Sequence, residues 1–173
     1  ALRLYENGNI TYMRTDSVTL SDTAITAARA QVRELYGASY LPDKPRVYTS
    51  KVKNAQEAHE AIRPAGEVFQ TPAQTGLSGA EYRLYELIWM RTIASQMKDA
   101  EGRSVSIKID AKASSGENCE FTSSGRVITF HGFLKAYVEG ADDPSAGTDD
   151  QETRLPDVTE GDVLPAVEVL ASG

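Results

Sequence analysis

The sequence lacks several features that common protein classes require. It has a single cysteine, Cys119, among 173 residues, so it cannot form an internal disulfide or a zinc site built from several thiolates. No apolar run approaches the ~20 residues of a membrane-spanning helix, and the first residues do not resemble a signal peptide. There is no internal repeat, no Walker loop and no dinucleotide-binding glycine motif. These absences argue against a transmembrane protein, a disulfide-stapled secreted domain and a nucleotide-binding enzyme, and they fit a reducing cytoplasm.

Positive charge is scarce at one end of the chain. Residues 139–173 hold 1 basic and 10 acidic side chains, whereas residues 1–100 and 101–138 each carry a net charge of +1 within a total of -7. The acidic total argues against nucleic-acid binding, but the near-neutral remainder leaves room for a local basic groove. The Asp-, Gly- and Ser-rich stretch at about 139–154 is interpreted as a mobile acidic loop. Its paired aspartates lack the spacing of a calcium loop, so no metal site is predicted.

Helical patterns dominate the first hundred residues. A final helical turn over 2–7 stops at Gly8, and an extended segment over 9–14 follows. The remaining predicted helices run from the N-cap Ser21 to about Tyr36, over 54–63, and from a Ser78–Glu81 capping box to about Met97. Residues 47–52 fit either a short strand or simply extended chain. The stripe predicted to be buried in the second helix consists of Ala24, Ala28, Val32 and Leu35.

Strand-like alternation begins after residue 100. Apolar residues alternate over 103–109, which predicts a half-buried strand. Residues 119–122 and 127–130 are predicted to form a hairpin joined through 123–126, and 132–138 either extend its second arm or turn helical. A last strand over 163–170 contains Pro165, which favours an edge position. The sequence therefore predicts an α+β chain, with a helical domain over 1–100 and a β-rich domain over 101–173.

The first candidate for chemistry is Tyr12 with Arg14. In an extended segment these two side chains point the same way, so a phenol and a guanidinium would face one spot. A phenol oxygen can attack a phosphodiester, and the adjacent cation favours the ionised phenol and stabilises the charge on the phosphate. Tyrosines near arginines are common, however, and the pair alone favours a structural interpretation. Thr15, Asp16 and Ser17 can anchor the loop through hydrogen bonds to their own backbone.

The second candidate is His59 with Arg63. Four residues apart, they would share one face of the predicted helix and could bind a phosphate or relay a proton. Pro64 disfavours a helical backbone at Arg63, which weakens that geometry. The spacing alone favours a surface helix with scattered charges. His131 is interpreted as structural.

Two long motifs and their flanks resemble one enzyme family. Residues 10–17, Ile-Thr-Tyr-Met-Arg-Thr-Asp-Ser, resemble the active-site tyrosine motif of bacterial type IA DNA topoisomerases, and the preceding Leu-Tyr-Glu-Asn-Gly agrees. Residues 56–64, Gln-Glu-Ala-His-Glu-Ala-Ile-Arg-Pro, resemble that family's second signature in this region. Residues 84–97 and 125–133 are similar to its following helix and β segment. The resemblance covers nearly the whole chain, and only the acidic loop is generic.

The resemblance implies a role for each candidate. Tyr12 would be the nucleophile that cuts one DNA strand and keeps the 5′-phosphate, and Arg14 would contact the scissile phosphate. His59 would support the site, Arg63 would touch the DNA backbone, and Thr15 and Ser17 would support the site or contact DNA. The helical part would carry the tyrosine on a lid, and the β part would belong to the arch that lets the lid swing away.

The resemblance also implies what lies elsewhere. The family's acidic Mg²⁺ cluster and catalytic lysine belong to an earlier domain, and no Asp-x-Asp-x-x-Glu pattern occurs here. Together with the missing initiator methionine, this predicts a central fragment of a longer enzyme that cannot relax supercoils or cleave DNA efficiently alone. The implied partners are single-stranded DNA, negatively supercoiled duplex DNA and the remaining domains of the same polypeptide, in the cytoplasm at the nucleoid. No membrane partner is expected.

Two alternatives stay open at this stage. The chain could be a non-catalytic DNA-binding or scaffolding module that keeps the fold, although a decayed copy would be expected to lose Tyr12 or Arg14. A tyrosine recombinase is a weaker alternative. Such enzymes place several Arg and His residues ahead of a C-terminal tyrosine, whereas here the tyrosine comes first.

Overall fold

A computed structural model describes residues 1–49, 59–138 and 158–165. Several predictions lie outside these ranges: residues 50–52 of the extended segment, 54–58 of the short helix, the acidic loop, and 166–170 of the last strand. Within the described part, no helix is long and apolar enough to cross a membrane.

Helices come first along the chain, and a two-stranded antiparallel sheet follows, so the predicted α+β class is confirmed. The elements are α1 (Leu2–Glu6), α2 (Asp22–Leu35), α3 (Gly79–Ser95), β1 (Glu101–Lys112), β2 (Asn118–Phe130) and α4 (Lys135–Val138). Short 3₁₀ turns occupy Ala38–Tyr40, Pro72–Thr75 and Gly132–Leu134.

The described residues pack as two compact units. The first contains 1–101 together with 128–138, and the second contains 102–127 together with 158–165. The end of β2 and the whole of α4 therefore belong to the same unit as the helices, and the division into domains at residue 101 stays a prediction. The candidate site lies within the first unit.

The core of the first unit forms around α2 and α3. Its fully buried side chains include Leu4, Tyr85 and Ile93, and three of the four residues in the predicted α2 stripe, Ala24, Ala28 and Val32, are fully buried as well. Leu35 is an exception, because it is 41% exposed. It is the last residue of α2, and Tyr36 packs against the core in its place.

The capping box predicted at the start of α3 does not form. The Ser78 side chain makes no capping hydrogen bond, and Glu81 pairs with Arg3 at 3.5 Å instead of returning to the backbone. A capping box does form seven residues earlier, where Thr71 and Gln74 close the 3₁₀ turn that precedes α3.

The hairpin turn lies at a different place from the predicted one. The sequence holds two Ser-Ser-Gly segments, 114–116 and 123–125, and the second was expected to turn. The chain turns at the first, where the Ala113 N–H donates to the Glu117 carbonyl at 2.8 Å and Gly116 adopts a φ of +92°. Residues 123–126 lie inside β2, since Gly125 does not take the left-handed conformation that a tight turn there would require.

The end of the hairpin leads directly into a helical segment. Of the two possibilities for residues 132–138, the helical one is confirmed by the turn at Gly132–Leu134 and by α4. The strand predicted over 103–109 is confirmed within β1. Residues 163–165, by contrast, are exposed and form no strand.

Candidate active site around Tyr12

Tyr12 follows a short backbone ladder between two distant segments. Ile10 and Pro64 form an antiparallel bridge, the Thr11 N–H donates to the Arg63 carbonyl at 2.9 Å, and the Ala65 N–H donates to the Asn9 carbonyl at 2.9 Å. Because Ile10 is only 2% exposed, this ladder is anchored in the core. The position of Tyr12 is therefore set by tertiary pairing.

The helix predicted over residues 54–63 is wrong for residues 59–63, because the backbone of these residues pairs with distant segments. The Ala61 N–H donates to the Thr19 carbonyl at 2.8 Å, and the Arg63 N–H donates to Oγ1 of Thr11 at 3.0 Å. These donors are not available for helical bonds within the segment, and residues 59–63 form no helix. The argument that His59 and Arg63 share a helical face is therefore wrong, although His59 still lies beside Tyr12.

The Tyr12 side chain is half-exposed and lies between two other rings. Its ring centroid is 5.3 Å from that of Tyr5, with the planes at 73°, and 6.2 Å from that of His59, with the planes at 45°. With 49% of the residue exposed, the phenol is accessible to a substrate while its ring has neighbours. The structure thus brings His59 to Tyr12, as the sequence motifs suggested.

Arg14 forms an ion pair with Asp16. Its Nε lies 2.7 Å from Oδ2 of Asp16, and about half of the Arg14 side chain stays exposed. The other carboxylate oxygen of Asp16, Oδ1, is buried and has no hydrogen-bond partner among the described residues. Because the carboxylate contacts Arg14 through Nε, the two terminal nitrogens of the guanidinium are not engaged by this ion pair.

The neighbouring hydroxyl side chains play different parts. Oγ of Ser17 accepts a hydrogen bond from the Thr19 N–H at 3.2 Å, which closes the loop on itself. Thr15 is exposed between Arg14 and Asp16. The local structural interpretation therefore fits Ser17, and Thr15 is the more accessible of the two.

Glu60 connects the His59 segment to the start of α2. Its Oε1 accepts hydrogen bonds from the N–H and the hydroxyl of Ser21 at 2.9 and 2.6 Å, and Arg63 donates to both carboxylate oxygens at 2.7 and 3.0 Å. Burial by itself would raise the pKa of Glu60, but these hydrogen bonds and the Arg63 charge hold that pKa below its ordinary value. Glu60 is thus a charged residue that links Arg63 to the start of α2 beside the candidate site.

The Arg63 guanidinium faces the protein interior. Besides Glu60 it donates to the carbonyls of Pro64 and Gly66 at 2.9 and 3.0 Å, and its charged carbon lies 5.8 Å from the ring centre of Phe69. Only 10% of the Arg63 side chain is exposed. This geometry favours a role in holding the loop, and a direct contact with the DNA backbone stays a prediction.

No group of three or more His, Cys, Asp and Glu side chains within residues 1–49, 59–138 and 158–165 could hold a metal ion. The described residues therefore contain no ready-made protein cage for a metal ion. What they offer is an accessible phenol with a histidine beside it and an exposed arginine two residues away, which together can act on a phosphate ester.

Comparison with known proteins places this site in a family. A family model described as DNA topoisomerase matches residues 1–172. The chain belongs to the DNA topoisomerase family. It is 68% identical over its whole length to DNA topoisomerase 1 of Streptomyces coelicolor, 61% to that of Mycolicibacterium smegmatis and 54% to that of Synechococcus elongatus. This confirms the type IA resemblance drawn from the motifs.

The matched relatives are much longer than this chain. It covers 18% of the Streptomyces topoisomerase and 19% of each of the other two. A topoisomerase segment of this size can supply only part of what the whole relative contains, so the site must be considered together with residues outside it.

Sequence reasoning named candidate residues in this topoisomerase segment but did not predict three of the contacts that the structure gives them. Tyr5, Asp16 and Glu60 shape the surroundings of Tyr12, Arg14 and Arg63, yet none was predicted to do so. Glu60 could have been found from the prediction that Ser21 is an N-cap, since a carboxylate is favourable at a helix start. The Tyr5 contact depends on the turn at Gly8 and has no local signal.

Proposed function

We propose that the chain is the tyrosine-bearing part of a type IA DNA topoisomerase that cleaves one DNA strand transiently, passes another strand through the gap and reseals it. The observation that carries this proposal is the accessible Tyr12 phenol beside His59, in a chain that matches DNA topoisomerases along almost its whole length. The product of each cycle would be DNA with fewer negative supercoils.

In the proposed cleavage step, the Tyr12 oxygen attacks the phosphorus of a phosphodiester. A bond forms between that oxygen and phosphorus, and the bond from phosphorus to the 3′ oxygen breaks. The phenol loses its proton and the departing 3′ oxygen gains one, which leaves a 5′-phosphotyrosyl ester and a free 3′-hydroxyl. Attack by this hydroxyl on the ester reverses the step. One phosphodiester replaces another, so resealing needs no external energy source.

Arg14 and His59 assist this step in different ways. The free terminal nitrogens of Arg14 contact the scissile phosphate and stabilise its developing charge, while Asp16 holds the other side of the guanidinium. His59, in ring contact with Tyr12, keeps the phenol oriented and is placed to exchange a proton near it. Arg63, Thr15 and Ser17 support the loop or approach the DNA.

The rest of the active site belongs to other parts of the polypeptide. The proposal includes a requirement for Mg²⁺. The acidic side chains that bind this ion are proposed to lie outside the described residues, which hold no group of three or more His, Cys, Asp and Glu side chains for a metal. The helical unit acts as the lid that carries the nucleophile and the β hairpin as a segment of the arch, at the nucleoid in the cytoplasm. The chain alone neither cleaves DNA efficiently nor relaxes supercoils.

Trapping of the covalent intermediate tests this proposal. The full-length polypeptide that contains this sequence is mixed with Mg²⁺ and a single-stranded oligonucleotide labelled at its 3′ end, then denatured. The labelled strand should travel with the protein, and digestion should place the label on the peptide that contains Tyr12. Tyr12→Phe should abolish the adduct, because it removes only the attacking oxygen.

Matched controls separate loss of chemistry from loss of folding. Tyr48→Phe makes the same change at an exposed tyrosine of the same unit and should leave the adduct intact. An adduct that survives Tyr12→Phe would refute the assignment of the nucleophile. Wild-type protein that binds the oligonucleotide without any adduct would support the non-catalytic scaffolding alternative.

A further inference from the structure

Tyr5 lies outside the tyrosine–arginine motif, yet its ring packs against that of Tyr12. The two centroids are 5.3 Å apart and the planes meet at 73°, which is an edge-to-face arrangement. Both residues are partly open to solvent, Tyr5 at 41% and Tyr12 at 49% exposure. The contact is therefore a surface pair at the candidate nucleophile and not a part of the core.

The backbone fixes the spacing between these two rings. Helix α1 ends at Glu6, Gly8 takes a φ of +73°, and the Asn9 N–H donates back to the Leu4 carbonyl at 2.8 Å. Leu4 is fully buried on one side of this reversal and Ile10 is 2% exposed on the other. Tyr5 therefore projects from a rigid helical turn toward a segment that is itself anchored.

An edge-to-face pair restricts how a half-exposed ring can turn. The electropositive edge of one ring meets the electronegative face of the other, and such pairs contribute enough to change a rate about three- to tenfold. Without Tyr5, the Tyr12 ring would keep only the more distant His59 ring as an aromatic neighbour in the described part of the chain. Restricting a nucleophile to its reactive orientation speeds attack without strengthening substrate binding.

We propose that Tyr5 is a positioning residue for the Tyr12 nucleophile, through the face and edge of its ring and not through its hydroxyl. This inference rests on the proposed function, because it assumes that the Tyr12 oxygen attacks DNA. It assigns Tyr5 an effect on the rate of strand cleavage and none on DNA affinity.

The test uses the full-length polypeptide with Mg²⁺ and a labelled single-stranded oligonucleotide at saturating concentration. Tyr5→Leu removes the ring and should lower the single-turnover rate of Tyr12 adduct formation about three- to tenfold. Tyr5→Phe keeps the ring and should restore the wild-type rate. Leu2→Ala is the matched control on the same helix, since Leu2 is 52% exposed, and should change nothing.

Two further measurements separate positioning from other roles. The dissociation constant of the oligonucleotide should be the same for all variants, and so should the thermal midpoint, because Tyr5 lies outside the core. A loss of affinity with an unchanged saturated rate would overturn the inference in favour of base stacking by Tyr5. Equal rates for Tyr5→Leu and wild type would also overturn it while leaving the proposed function intact. An adduct absent from the wild type would instead defeat the proposed function, and the inference with it.

Discussion

The rings of Tyr12 and His59 lie 6.2 Å apart, although the two residues come from different motifs that are distant in the sequence. Their meeting depends on the antiparallel bridge between Ile10 and Pro64, which aligns the two motifs. Each motif thus supplies one side of a single site. This explains why the tyrosine motif alone is a weak indicator of chemistry and the two together are a strong one.

Replacing His59 should slow strand cleavage. We expect His59→Ala to reduce the rate of Tyr12 adduct formation by about tenfold or more, because it removes both the ring contact and a group able to exchange a proton. Single-turnover trapping of the adduct in the full-length polypeptide measures this rate. His131→Ala, at the other histidine of the chain, is the control and should retain the wild-type rate. A wild-type rate for His59→Ala would remove His59 from the site.

Arg14 and Asp16 should act as a coupled pair. Arg14→Lys loses the planar fork and should slow cleavage about tenfold or more, while Asp16→Asn should slow it less, because the guanidinium stays charged but is held less firmly. If Asp16 works only through Arg14, the double variant should be little slower than Arg14→Lys. The measurement is the cleavage rate of all three variants and of Arg3→Lys, the control at an exposed arginine. Strictly multiplicative effects would show that Asp16 acts independently.

Glu60 should make the fold sensitive to acid. Because the pKa of Glu60 lies below its ordinary value of 4.5 in the folded chain, its charged form stabilises the fold fully above that value. This contribution is lost as the pH falls through the folded-state pKa. Urea unfolding of the chain between neutral pH and pH 3 should therefore show a loss of stability that is smaller in Glu60→Gln.

The same variant should be destabilised at neutral pH. We expect Glu60→Gln to lower the free energy of unfolding by about 1–3 kcal/mol, since Arg63 is nearly buried and loses its counter-charge. Glu81→Gln is the control, because the Glu81–Arg3 pair is exposed and should be worth less than about 1 kcal/mol. Equal effects of the two variants would contradict the proposed contribution of Glu60 to the stability of the fold.

Local patterns were sufficient for much of the fold. The N-cap Ser21, the stop at Gly8, most of the apolar stripe of α2 and the alternation in β1 were correct, because each depends on residues a few positions apart. The chain's choice between its two Ser-Ser-Gly segments was not predictable in this way. Both have the composition of a turn, and only the pairing of whole strands decides which one turns.

Long-range hydrogen bonds decided the structure of the second motif. Residues 59–63 have a helical composition, but the N–H groups of Ala61 and Arg63 bond to Thr19 and Thr11, which are distant in the sequence. Tertiary partners override a local propensity of a few tenths of a kcal/mol per residue. The candidate residues Tyr12, Arg14 and His59 were proposed from their motifs, whereas the contacts of Tyr5 and Glu60 are visible only when the segments are folded together.

Gly132 is the position where a single added carbon should be most damaging. Its φ is +49°, and a β-carbon there would lie 2.6 Å from the Ala100 nitrogen and closer still to the Asp99 carbonyl, all of them backbone atoms that cannot move aside. The Phe133 N–H donates to the Lys98 carbonyl at 2.9 Å, and this hydrogen bond attaches the segment after β2 to the chain after α3. An alanine at position 132 should therefore break this attachment.

We expect Gly132→Ala to lower the free energy of unfolding by about 2–5 kcal/mol, the combined cost of a left-handed alanine and of overpacking. Gly76→Ala separates these two causes, because Gly76 has a φ of +67° but nothing within 4 Å of an added β-carbon. It should cost only about 1–2 kcal/mol, the conformational part. Urea unfolding of both variants provides the comparison. Equal losses would mean that backbone conformation, and not the approach of Asp99 and Ala100, makes glycine necessary at position 132.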